Sequence, residues 1–177
     1  MELKPVWSHV AAWPNAGVPA RRVRLEGDAA ARARIAQLLL VETVKSLSAD
    51  LELSPWLDGL EITGHIDAVV ERICGVSLEP FDEVISESVH ALRAPPGSRN
   101  LPSETDGDRE GELPQDDAPE AGEAAGVDLA ALCFEILSLA LDPYPRKPGA
   151  EFEAQDEEPA VSAFAALARL KPTGESS

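Results

Sequence analysis

Aromatic residues are scarce in this chain of 177 residues, at 5%, and there are only two cysteines, one methionine and three histidines. Its core must therefore be built from Leu, Val, Ile and Ala. Cys74 and Cys133 lie far apart, and "MELKPVWSHVAAWPN" shows no charged start followed by an apolar stretch. Free thiols and a cytoplasmic location are expected, not a disulfide. No apolar run approaches the roughly 18–20 residues of a membrane helix. A P-loop, a GxGxxG turn and an HExxH helix are all missing. His9, His65 and His90 show no ligand spacing with each other or with the cysteines. These absences predict a protein that is not an enzyme, with no cofactor, no metal, no membrane contact and no DNA partner.

What is abundant is negative charge, −17 in total. It is unevenly spread. Residues 97–125 hold nine acids and two arginines, and 151–158 hold five more acids. Without these two stretches the chain carries 18 acids against 13 bases. The stretch 96–125, poor in large apolar residues and rich in Pro, Gly, Glu and Asp, is predicted to be a flexible, disordered acidic insertion, and 150–159 an acidic linker. The remainder reads as one domain.

Periodicity organises that domain. "RRVRLEGD" (21–28) predicts a short strand with Val23 and Leu25 on one face, ended by Gly27, with Asp28 capping a helix from Ala29 to about Leu40. That helix carries Ala31, Ile35, Leu38 and Leu39 on one stripe. In 46–54, Leu47, Ala49, Leu51 and Leu53 alternate with polar residues, the signature of a sheet wet on one face. After turn chemistry at 55–59, Leu60, Ile62, Ile66, Ala68 and Val70 share one face of 60–72, and Gly64 on that face suggests a close approach or a bend. The two strands predict an antiparallel hairpin. Cys74-Gly75 marks a bulge or sharp bend. Residues 81–95 fit strand and helix spacing equally; a strand is predicted because it completes a meander.

From about Asp128, "VDLAALCFEILSLALD" predicts a helix whose polar residues, Glu135, Ser138 and Asp142, form only a narrow stripe, so it should be packed on most sides. Glu135 has two readings: a residue on the wet stripe, or a buried carboxylate answering an arginine. Asp142-Pro143 stops the helix, since proline has no N–H and pushes the preceding residue out of the α region. Pro143, Pro145 and Pro148 stiffen an extended arm that carries Tyr144, Arg146 and Lys147. A short amphipathic helix is predicted over 160–171, with Phe164, Leu167 and Ala168 on one face. The fold class is α+β: an antiparallel sheet, with a partial barrel as one form it could take, and helices packed on it. Arg21, Arg22 and Arg24, with Tyr144, Arg146 and Lys147, are the candidate contacts to RNA or another partner, because phosphates draw Lys and Arg while bases stack on Tyr and Arg planes.

Four stretches carry a resemblance: "RVRLEGDAAARARIA", "LSADLEL" with "GLEITGHIDAVVERICGVSLEPF", "VDLAALCFEILSLALDPYPRKPGA" and "FAALARLK". They resemble the YceD family of large ribosomal RNA subunit accumulation proteins, in the form found in alphaproteobacteria. The family-motif positions are Cys74, Leu78, Glu79 and Pro80 at the bend, then Glu135, Asp142, Pro143, Tyr144, Pro145 and Arg146. The resemblance implies a non-enzymatic factor linked to accumulation or processing of 23S ribosomal RNA. Its expected partners are 23S RNA or its precursor, or large-subunit ribosomal or processing proteins. An alternative is an acidic adaptor that binds basic ribosomal or other proteins without touching RNA. Some members of the family carry Cys-x-x-Cys at the bend. Here the stretch is Cys74-Gly75-Val76-Ser77, and serine cannot replace a thiolate on structural zinc.

Overall fold

The computed structural model describes residues 7–102 and 118–151. The expected C-terminal helix over 160–171 lies outside them, as do 103–117 of the expected insertion and 152–159 of the expected linker. The described residues form an α+β fold. Its elements in chain order are β1 (Val10–Ala11), β2 (Arg21–Glu26), α1 (Ala29–Leu39), β3 (Thr43–Trp56), β4 (Gly59–Ile73), β5 (Pro80–Ala94), β6 (Glu120–Ala121), β7 (Val127–Asp128) and α2 (Leu129–Ala140). Strands β2 to β6 make one sheet in sequence order, antiparallel except for β6, which runs parallel to β5. β1 and β7 pair separately. The five-stranded sheet ends at β2 on one side and β6 on the other, so it is not a closed barrel.

The two long hairpins follow from alternation. Leu47, Ala49, Leu51 and Leu53 on β3 and Leu60, Ile62, Ile66, Ala68 and Val70 on β4 are all buried. β3 starts three residues earlier than its clean alternation, because Lys45 is an extra residue in the ladder: Val44 pairs with Val70 and Ser46 with Val69. The bulge resets the phase, so Val44 and Leu47 both face inward. Lys45, set aside from the ladder, reaches Asp82 at 2.5 Å and Glu71 at 3.2 Å. The predicted strand over 81–95 is β5, with Ile85 and Val89 buried.

Both helices pack on the apolar face. Asp28 caps α1, its carboxylate accepting from the Ala31 N–H at 2.7 Å. Asp128 does more than cap α2. It accepts from the backbone N–H groups of Ala130 and Ala131, from the Ser8 hydroxyl at 2.7 Å and from the His9 N–H at 2.9 Å. One side chain thus starts the helix and ties the N-terminal segment to it.

Three expectations are corrected. Leu38, placed on the inner stripe of α1, is 48% exposed, and Ala36 is buried in its stead. α2 is packed on most sides and its polar stripe of Glu135, Ser138 and Asp142 is exposed, as expected, but Leu139, expected among the packed residues, joins that stripe at 79% exposure. The predicted insertion is narrower, since Glu120–Ala121 pairs with Arg93–Ala94 and Glu123 bridges to Gly126. Two-residue strands carry no periodicity, so nothing in the acidic composition announced this pairing.

Candidate functional site

The β4–β5 connection and the proline arm meet. The connection, 74–79, is closed on itself: the Cys74 N–H donates to the Glu79 carbonyl at 2.9 Å and the Leu78 N–H to the Cys74 carbonyl at 3.0 Å. This tight return forces Leu78 into the left-handed region, at φ 58°, with its side chain 76% exposed. A leucine held there costs roughly 1–2 kcal/mol, and such strain persists only where the surroundings over-determine it.

The arm begins with Asp142, which accepts from the Tyr144 N–H at 2.8 Å and turns the chain after α2. Pro145 then accepts from the Gly75 N–H at 2.8 Å. The Lys147 N–H donates to the Cys74 sulfur at 3.3 Å, and the Lys147 ammonium pairs with Glu79 at 2.8 Å. The arm expected to be a stiff, extended surface element is docked along the bend, and segments 73 residues apart form one surface. Tyr144, 78% exposed, and Arg146, also exposed, project from it.

Cys74 is at the centre of this junction and fully buried. Its sulfur accepts from the N–H groups of Val76 and Ser77 at 3.4 Å each, besides that of Lys147. Hydrogen bonding from Ser77, first through its side chain and then its backbone, and from the Lys147 N–H lowers the thiol to about 6. Cys133 goes the other way: burial in α2, with Asp128 adding to it, pushes it up to about 12. The Glu79 carboxyl is held below its usual range by the Lys147 ammonium, and Lys147 is raised in return. That ion pair is substantially exposed and adds little by itself. No three metal-ligating side chains converge among the described residues.

The Cys74 thiolate gives this junction a pH dependence. An unfolded cysteine titrates near about 8.5, so between that value and the folded pKa the unfolded chain holds the extra proton. The thiolate's contribution is complete above the unfolded pKa and lost as pH falls through about 6. The denaturation midpoint of the intact chain should accordingly climb relative to Cys74→Ser as pH rises across this window. Parallel profiles for the two proteins would show that the thiol is not ionised.

The other candidate residues lie elsewhere. Arg21 pairs with Leu53, near the β3–β4 turn and at the opposite end of the sheet from Cys74. Arg22 is bonded to Glu52 at 3.3 Å, and Arg24 to Glu26 at 3.0 Å and Asp50 at 2.8 Å. The Arg22–Glu52 and Arg24–Asp50 pairs rim a shallow groove of about 760 Å³ on the wet face of the sheet, with Thr63, His65 and Ser88. Its cations already face carboxylates, and His65 is a solvated residue on the polar face of β4. Glu135 is exposed, which settles its two readings in favour of the wet stripe. Sequence reading missed Gly75, Ser77 and the Glu79–Lys147 pair as a unit, although Glu79 and Lys147 each stood beside a singled-out proline.

The residues at the junction are those of two sequence pieces, "CGVSLEP" and "LDPYPRK", and a family comparison bears on both. Residues 62–171 match the model of the large ribosomal RNA subunit accumulation protein YceD. The chain belongs to the YceD family. That match covers more than half of the chain and takes in most of β4, all of β5 and α2, and the arm. No curated protein and no solved structure matches the chain. The family's name links the chain to accumulation of large-subunit ribosomal RNA. No helix among the described residues is long and apolar enough to cross a membrane.

Proposed function

We propose that this chain supports accumulation and processing of 23S ribosomal RNA as a binding factor and not as an enzyme, and that the docked bend and arm form its contact surface. The observation that carries the reading is the fixed display of Tyr144 and Arg146 on a surface made by both motif pieces. An exposed aromatic ring next to an arginine suits unpaired RNA, whose bases stack on such planes and whose phosphates attract guanidinium groups. The partner is 23S RNA or its precursor.

A specific observation favours a second reading, a protein-binding adaptor. Of the six candidate contact residues, Arg22, Arg24 and Lys147 are already bonded to carboxylates, and Leu78 adds an exposed apolar side chain to the bend. Tyr, Arg and apolar anchors also make protein hot spots. The partner would then be a large-subunit ribosomal or processing protein.

The test is complementation in cells depleted of the protein, reading the ratio of mature 23S to 16S RNA with precursor ends mapped. The intact gene is expected to restore the ratio. Tyr144→Ala with Arg146→Ala should fail to restore it, while leaving stability within roughly 0.5 kcal/mol because both side chains are exposed. Equal rescue by the variant would remove the arm from the function. A photo-crosslinker at position 144 separates the readings: RNA captured supports the first, a basic protein the second.

A further inference from the structure

The corrected face of α2 leaves a groove of about 190 Å³ between α2 and the end of β5. Leu92, Leu132, Ile136 and Leu139 line it together with Glu135 and the Arg93–Glu120 ion pair. A cavity of roughly 150 Å³ with an apolar lining is enough to hold a benzene ring, so the groove has room for one aromatic side chain. Leu139, 79% exposed, is an apolar residue with nothing on it among the described residues.

We propose that this groove is filled by the chain's own residues 160–171, docked as an amphipathic helix with Phe164 inserted beside Leu139. Composition selects this segment over the two acidic ones outside the described residues. Residues 103–117 hold seven acids and one arginine, and 152–159 hold four acids, so both meet Glu135 with like charge, Glu120 being already paired with Arg93. Residues 160–171, "AVSAFAALARLK", contain no acid, place Phe164, Leu167 and Ala168 at helical spacing, and end in Arg169, Leu170 and Lys171. Cations at that end complement Glu135. The family match runs through this segment and ends at Lys171.

Reach is sufficient. Lys147 is pinned at the bend, and Ala150 turns back onto it with an N–H to carbonyl bond of 3.0 Å. Lys147 lies eight residues beyond Leu139, so it is at most roughly 28 Å from it, and the eight residues 152–159 span about the same distance when extended. A tether of this length holds the segment at an effective concentration of about millimolar, so even a weak contact is populated. The docked arm fixes where that tether begins.

Hydrogen exchange followed by mass spectrometry on the full-length chain tests this. In Phe164→Asp, peptides covering 132–141 are expected to exchange about tenfold faster than in the intact chain. In Leu139→Asp, the 160–171 peptide should lose its protection; residue 139 is exposed, so the substitution leaves the fold intact. Unchanged exchange in either variant would overturn the proposal. So would protection that appears only as chain concentration is raised, since the occupant would then be a second copy.

Discussion

Gly64→Ala is expected to destabilise the fold by about 3 kcal/mol or more, as a backbone clash at a special φ ranks among the largest single-residue effects. Gly64 sits mid-strand in β4, opposite Leu51, at φ 151°. A Cβ there would lie 2.1 Å from the Asp50 carbonyl oxygen and 2.9 Å from the Leu51 Cα. Both are backbone atoms of the neighbouring strand and cannot swing away. The clash falls at the centre of the sheet, so it would disturb the β3–β4 pairing that every other element leans on. Gly97→Ala is the comparison. It too has a left-handed φ, 79°, but nothing within 4 Å of the added Cβ. Its cost should be about 1 kcal/mol. Urea denaturation of the two variants separates clash from conformational strain, and similar midpoints would show that β3 and β4 do not approach as described.

Leu137→Ala should cost about 2–5 kcal/mol, the range for truncating a fully buried leucine. Leu137 has no exposed surface and lies on the inner face of α2 with Leu129 and Cys133. Leu139, two positions further on, points away from the core, and Leu139→Ala should change stability by no more than roughly 0.5 kcal/mol through core packing. The consequence of the first substitution reaches beyond stability. The arm leaves directly from the end of α2, so a loosened helix loosens the docking of Pro145 and Lys147 on the bend. Leu137→Ala should therefore expose the Cys74 thiol to alkylating reagents before global unfolding, which thiol labelling at low denaturant would read. A thiol that remains protected until the whole chain unfolds would mean that arm and helix are not coupled.

The sheet was legible because one of its faces is wet. Leu47 to Leu53 and Leu60 to Val70 alternate without a break, and a period of two with one buried face leaves little choice of register. Gly64 announced itself by occupying an apolar position without a side chain. The polar stripe of α2 was legible, but the exposure of Leu139 beside it was not. Leu139 and Leu137 look alike in composition, and only the placement of β5 under the helix decides which is covered. The docked arm was invisible for a different reason. It is held by the Gly75 and Lys147 backbone N–H groups, a carbonyl and a sulfur, and backbone donors leave no mark in residue types. The proline spacing revealed that the arm is stiff, and nothing in it revealed where the arm lies. The same holds for Arg22 and Arg24: their clustering was plain, while their commitment to Glu52 and Asp50 depends on the register of β2 against β3.

The parallel pairing of β6 with β5 makes a stem. Arg93 pairs with Glu120 both as ladder partners and as an ion pair, and the Gly122 N–H closes onto the Ala94 carbonyl at 2.9 Å. Neighbouring strands lie about 4.8 Å apart, so the two ends of the connection between Ala94 and Glu120 are clamped together whatever its length. Doubling a loop between clamped ends costs only about 0.6 kcal/mol. The protein thus owns a built-in splice point, where a reporter domain or an affinity handle can be threaded into the chain while the bend, the arm and α2 keep their places.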